Sequence, residues 1–201
     1  RFQGTMDPLA LDVTPGGDIA VAGRLTGTLT LPMPAGNIPS NGADLCVVRF
    51  DSMGNPKWGL TSDAAGADEA NGVAFLQDDL IVAGSYSAVL TIDGNALPKP
   101  KTSDIFVMRV QPDKKVKWMK SYAATGSGQV GALAIAADGT IWFGGSYAGE
   151  LDFGQGAVGA VASGGALGLY YASVGGAEGN SATGHAIGTP AAVQQITAIA
   201  V

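Results

Sequence analysis

ALAIAADGTIWFGGSYAGELDFG, residues 132–154, carries the pattern on which the fold turns. A short apolar strand of small residues runs into Asp138-Gly139, a second apolar strand closes on Gly144-Gly145, and a third follows a brief loop. Asp-Gly between two apolar runs is a hairpin signal, with both central residues of the turn expected at positive φ. The stretch therefore reads as consecutive antiparallel strands joined by tight turns.

The same pattern occurs three times. Gly23, Gly84 and Gly145 stand at a constant spacing of 61 residues (84 − 23 and 145 − 84). In that register DIAVAGRLTGTLTL from Asp18, DLIVAGSYSAVLTI from Asp79 and TIWFGGSYAGELDF from Thr140 align without a gap. A period of this order marks stacked or radial repeats. Downstream, the run from Asp44 to Phe50 matches that from Asp104 to Val110, and Trp58 matches Trp118. The third unit departs here: Ala166 stands where an aspartate is expected, and no tryptophan follows. An apolar strand precedes each anchor glycine at 9–13, 73–76 and 132–136, and a fourth copy begins at 196–201.

Each unit predicts four strands: a first of small residues, a second ending at the anchor glycine, a third opening at Asp44 or Asp104, and a fourth centred on the tryptophan. The connection between second and third, 29–41 in the first unit, is rich in Gly, Pro and Asn and predicts a loop with a short extra strand. Clustered helix formers occur only at 64–70 and 191–195, enough for short helical turns.

Composition agrees with this reading. The chain has 201 residues, 46% of them hydrophobic, 14% charged, and 31 are glycine. That suits one domain of many short strands with a substantial core. A net charge of −6 disfavours nucleic acid and anionic membranes as partners. No apolar run is long enough to span a bilayer, so membrane insertion is not expected. The one cysteine, Cys46 in Leu45-Cys46-Val47-Val48, rules out an internal disulfide framework and reads as a buried small hydrophobe. Arg1-Phe2-Gln3-Gly4 resembles the tail of a potyviral protease site and Thr5-Met6-Asp7-Pro8 a cloning linker. Residues 1–8 are accordingly expected to be an appended remnant.

A four-stranded unit of about 60 residues cannot cover both its faces alone, and radial stacking of such sheets solves the problem. The expectation is an all-β partial β-propeller over 9–201, with blades at 9–71, 72–131 and 132–193 and the start of a fourth at 194–201. Small residues such as Ala132, Ala134 and Ala136 suit the crowded strand nearest an axis; Trp58 and Trp118 suit the wider outer part. A β-trefoil has three shorter units, and a sandwich does not require such regular spacing.

The combination of Asp138-Gly139, Gly145, Asp152-Phe153-Gly154, the Asp104 to Arg109 run and Trp118 resembles the bacterial seven-bladed β-propeller repeat family. That resemblance implies a secreted or cell-surface bacterial protein serving as a non-enzymatic binding scaffold for a protein or glycan ligand. It supplies no catalytic motif. Three blades cannot close a ring, so either the native protein is longer or copies associate as a homo-oligomer that completes one.

A search for chemistry finds no catalytic constellation, cofactor motif or metal-ligand set. His185, the only histidine, lies in a glycine-rich run read as an exposed loop, away from any nucleophile motif. Asp68-Glu69 and Asp78-Asp79 read as solvated turn residues. Asp51-Ser52-Met53-Gly54-Asn55 has alternating oxygens but lacks the closing glutamate of a calcium loop, so a hairpin turn explains it. Gly175-Gly176-Ala177-Glu178-Gly179 lacks the Lys-Ser/Thr of a phosphate loop. Lys114, Lys115, Lys117 and Lys120 read as the guard of an edge strand. For a lectin-like alternative, the ligand-binding candidates are Tyr86 and Tyr147, which are equivalent by the period, and Tyr122. The sialidase-type Ser-x-Asp-x-Gly-x-x-Trp motif is absent. A fragment of a glycan-active enzyme is the third reading.

Overall fold

The computed structural model describes residues 3–62, 66–154, 157–160, 167–187 and 196–201. It is all-β, with no helix among the described residues. The first sheet is a meander of β1 (Gln3–Val13), β2 (Ile19–Thr30), β3 (Asn37–Phe50) and β4 (Pro56–Thr61), adjacent in that order. In the second unit β5 (Asp68–Leu76) and β6 (Asp79–Tyr86) are followed by a separate hairpin of β7 (Leu90–Ile92) and β8 (Asn95–Leu97). β9 (Asp104–Val110) and β10 (Val116–Ala124) then join the second sheet, β9 beside β6 and β10 beside β9. The third sheet begins with β11 (Gly128–Ile135) and β12 (Thr140–Tyr147). After the excursion of β13 (Glu150–Asp152) and β14 (Ala157–Ala160) it closes with β15 (Gly168–Gly175) and β16 (Thr183–Ile187). All strand pairs are antiparallel.

The turns explain why glycine recurs at hairpin ends. In four of them a backbone N–H bonds the carbonyl four residues on: Thr14 to Asp18, Asp51 to Asn55, Gln111 to Lys115 and Ala136 to Thr140. The fourth residue of each turn sits at positive φ: Gly17, Gly54, Lys114 and Gly139. A turn ending in one left-handed residue fits a hairpin of this length. This corrects the two-residue form expected for Asp138-Gly139. Gly139 alone has positive φ, while the Asp138 carboxylate accepts the Thr140 N–H at 2.9 Å. In the same way, Asp51 accepts from Met53 N, Asn55 N and Asn55 Nδ2.

The anchor glycines have a single cause. In each first strand the register slips by one residue, between Pro8 and Ala10, Ala70 and Gly72, and Val130 and Ala132. Opposite each bulge, a Cβ on Gly23, Gly84 or Gly145 would overlap the carbonyl oxygen of Asp7, Glu69 or Gln129. Only glycine admits so close a backbone approach.

The sheets pack on one another through two equivalent seams. Between the first and second sheets, Ala20, Ala22, Leu45 and Val47 meet Val82, Phe106, Met108 and Val110. Between second and third, Ile81, Ala83, Ile105 and Val107 meet Phe143, Tyr170 and Val174. Each seam is closed at one end by an isolated parallel bridge, Ala43 to Ala67 and Ser103 to Ser127. An arginine from the third strand clamps each. Arg49 donates through Nη2 to Asp18 at 3.1 Å and through Nη1 to the Asp78 carbonyl of the next sheet at 2.7 Å. Arg109 donates through Nε to Asp79 at 2.6 Å and through Nη1 to the Gly176 carbonyl of the next sheet at 2.8 Å. The fourth-strand tryptophans repeat the device: Trp58 donates to the Pro112 carbonyl at 2.9 Å and Trp118 to that of Gly176 at 3.3 Å.

Several expectations need revision. Thr5 to Pro8, within the stretch expected to be appended, belong to β1, where they pair with Thr26, Leu25, Arg24 and Gly23. The 29–41 connection holds no separate strand, because β2 and β3 simply extend until Thr30 pairs with Asn37. The third unit does complete four strands, and its excursion crosses over: β13 pairs with β10 of the second sheet. Residues 68–70, where a helical turn was expected, belong to β5, and 191–195 lie outside the described residues. Residues 196–201 form no strand, but they occupy a meaningful place. The Ile196 carbonyl abuts Gly131, and the side chains of Ile196 and Ile199 abut Gly144. His185 is in β16 rather than a loop, stacked on Tyr171 with ring centroids 5.0 Å apart.

Candidate functional site: a polar cleft beside the first strands

Among the described clefts, the one with the most convergent polar groups lies beside β5, β11 and β12. It has a volume of about 280 Å³. Glu69 and Asn71 reach it from β5, Gln129 from β11, Ser146 from β12 and Thr197 from the terminal segment. Strand alternation places Glu69 and Asn71 there: Asp68 and Ala70 are buried, while Glu69 and Asn71, which alternate with them, are half-buried. The bulges at Asn71 and Gly131 then break the ladders at the cleft, leaving polar groups without ladder partners. The Asn71 Oδ1 is buried and accepts no hydrogen bond among the described residues. Below the cleft, the Tyr170 hydroxyl donates to the Gln129 carbonyl at 3.1 Å and holds that bulge in place.

A second polar group lies in the seam between the first and second sheets. Asp44 is wholly buried; its carboxylate accepts from the Asn41 N–H at 2.7 Å and the Ser62 hydroxyl at 3.3 Å. Asp68 is 1% exposed and accepts from the Ser87 N–H at 3.3 Å, while its Oδ2 finds no partner among the described residues. Burial first, and then the Asp44 charge, push the Asp68 carboxyl up to about 6. Burial also raises Asp104, whose carboxylate accepts the Ala124 N–H at 2.9 Å. Asp68 is thus no solvated turn residue. The sequence signal that could have located it is its place at the start of a first strand.

The tyrosines expected as ligand-stacking residues are packing residues here. Tyr86 is 0% exposed, Tyr147 3% and Tyr122 5%. Tyr86 lies edge-on to Phe106 and Tyr147 edge-on to Tyr170, while Tyr122 stacks on Phe143 at 5.5 Å. None has a ring face open to a sugar, and burial raises all three phenols, Tyr86 to about 12. These three do not line the cleft, which draws on Glu69, Asn71 and Gln129 instead. Those residues escape a sequence search because no motif joins them; the packing of two sheets does.

Neither Cys46 nor His185 lines this cleft. Cys46 is buried, and desolvation pushes its thiol up to about 12. His185 lies on the outward face of the third sheet among Tyr171 and Trp142. Among the described residues there is no group of three His, Cys, Asp or Glu that could hold a metal ion, and no helix long and apolar enough to cross a membrane. The cleft can therefore accept and donate hydrogen bonds to a small polar ligand around one carboxylate. No protein-family model and no curated protein matches the chain.

Proposed function

We propose that the three sheets are successive blades of a β-propeller and that the chain is a non-enzymatic binding scaffold, secreted or displayed on a cell surface. The observation that carries this reading is the repeated seam. Two sheet-to-sheet contacts draw on equivalent residues, Arg49 and Arg109, Trp58 and Trp118, and the paired parallel bridges, although Arg49 reaches the β5–β6 turn of the next sheet and Arg109 the β15–β16 turn. A repeated seam rotates each sheet by the same operation, which is how blades are set around an axis. The polar cleft is the ligand site of this scaffold.

The lectin-like reading keeps one observation in its favour. Glu69, Asn71, Gln129, Ser146 and Thr197 offer the mixed donors and acceptors that sugar hydroxyls need. The test is an array of neutral and acidic oligosaccharides, followed by titration of any that bind to the wild type, Glu69→Gln and Asn71→Ala. Binding weakened at least tenfold in both variants supports the cleft as a sugar site. Binding undiminished in both refutes the cleft, and turnover of a polysaccharide refutes the non-enzymatic reading.

A further inference from the structure

We propose that copies of this chain associate head to tail, the first sheet of one docking on the third sheet of the next, with the 196–201 segment competing for the same place. The inference rests on reading the two seams as instances of one repeated contact. Strand register lets each exposed face be compared with its buried equivalent.

On the far face of the first sheet, Leu11 pairs with Val21 and Val21 with Val48. The same positions in the second sheet are Val73, Val82 and Met108. There they are covered by the first sheet, at 6%, 0% and 0% exposure, whereas Leu11 is 62% exposed and its strand neighbour Val13 49%, Val21 is half-buried, and only Val48 is already covered, at 1%, in a cluster with Leu29 and Leu31 of its own sheet. An apolar groove of about 270 Å³, lined by Met6, Pro8, Val21, Leu29, Leu31 and Val48, runs along this face. On the far face of the third sheet, Tyr171 stands where the second sheet has Val107, and Ile187 where it has Tyr122. Those two are 0% and 5% exposed under the third sheet; Tyr171 and Ile187 are 37% and 41% exposed. Trp142, Tyr171 and His185 form a stacked row across this open face. The two open faces are therefore the two halves of one seam, on opposite ends of the same chain. Contiguous exposed apolar surface of this kind marks an interface. Because the halves differ, the contact is heterologous and propagates in one direction.

The 196–201 segment shows what the third sheet accepts. Its sequence ITAIAV repeats the first-strand pattern VGALAI of 130–135, so Ile199 corresponds to Leu133 and, through the ladders, to Leu11. Leu133 packs on Gly72 of the second sheet, and Ile199 packs on Gly144 of the third. The segment pairs in no ladder, and Val201 at its end is 65% exposed, so it is held by few contacts. A docked first sheet brings Leu11 to the same place and covers Tyr171 and Ile187 as well. Ser173 and Thr183 stand on the third sheet where Arg109 and Trp118 stand on the second, so this contact lacks both clamps and is weaker than the internal seams.

The experiment is sedimentation equilibrium across micromolar to millimolar concentrations. Four proteins are compared: wild type, Leu11→Lys with Val13→Lys, Tyr171→Lys with Ile187→Lys, and Ile199→Asp. All the lysine sites are solvent-exposed, and unchanged circular dichroism and melting establish that each variant folds. The expected results are concentration-dependent association of the wild type, at least tenfold tighter association of Ile199→Asp, and a monomer for either lysine variant alone. An equimolar mixture of the two lysine variants should form a dimer and nothing larger, because each retains one intact half of the seam. A monomeric wild type together with a monomeric Ile199→Asp overturns the proposal, as does a mixture that stays monomeric. Retained cleft binding in such a monomer would leave the binding reading standing.

Discussion

Replacing Gly84 by alanine puts the account of the anchor glycines at risk. The added Cβ overlaps the carbonyl oxygen of Glu69 and approaches Phe106 Cε1 to 2.8 Å. Neither neighbour yields easily: Glu69 belongs to a bulged ladder, and Phe106 is wholly buried in the seam with the first sheet. Overpacking against such a site costs typically 1–3 kcal/mol, and a backbone obstacle places this case at the top, about 3 kcal/mol. For a chain of 201 residues that corresponds to a melting temperature lower by about 7 °C. Two other glycines calibrate the measurement. Gly94 has φ of +73° and open space around it, so alanine there costs about 1 kcal/mol of backbone strain. Gly16 meets only Thr14 Oγ1 at 3.8 Å, with no positive φ, and alanine should stabilise by about 0.5 kcal/mol through the unfolded chain. Urea unfolding followed by tryptophan fluorescence, with thermal melts, gives the order. Gly84→Ala within 0.5 kcal/mol of wild type, or less damaging than Gly94→Ala, refutes the close-approach explanation.

Asp68 predicts an inverted pH response. Its folded pKa, about 6, lies above that of an unfolded aspartate, so the folded state holds the proton more tightly. Its contribution therefore falls as pH rises from about 4 to about 6, and Asp68→Asn should raise the melting temperature more at pH 7.5 than at pH 4; an equal gain at both values contradicts the assignment. Arg109→Gln breaks a clamp that ties Asp79 to the Gly176 carbonyl and should cost about 3 kcal/mol in urea unfolding, whereas exposed Lys115→Ala should stay within 0.5 kcal/mol. Trp118→Phe removes one indole hydrogen bond across the seam and should cost about 1 kcal/mol, a loss absent if the bond to Gly176 is not formed in solution.

The sequence was informative wherever a local rule acted on neighbouring residues. Small first-strand residues, turn glycines and alternating apolar runs gave the all-β class, the 61-residue period and four strands in each of the first two units. Backbone sterics and side-chain period operate over a few positions, so they are visible along the chain. What followed from chain-distant contact was not visible. The anchor glycines were noticed as markers, yet their cause, a carbonyl pressed against Cα from a bulge some fifteen residues away, exists only after two strands pair. Tyr86, Tyr122 and Tyr147 looked available to a ligand because a string of letters does not say which face of a strand a neighbouring sheet covers. The third unit looked incomplete because Thr183 stands where the tryptophan was expected, yet β15 and β16 still pair as its third and fourth strands. Glu69, Asn71 and Gln129 become a cleft for the same reason: β5 and β11 lie about sixty residues apart in sequence and meet only where two sheets pack. Local periodicity thus determined the units, and burial between them decided which residues are core, which line the cleft and which faces stay open.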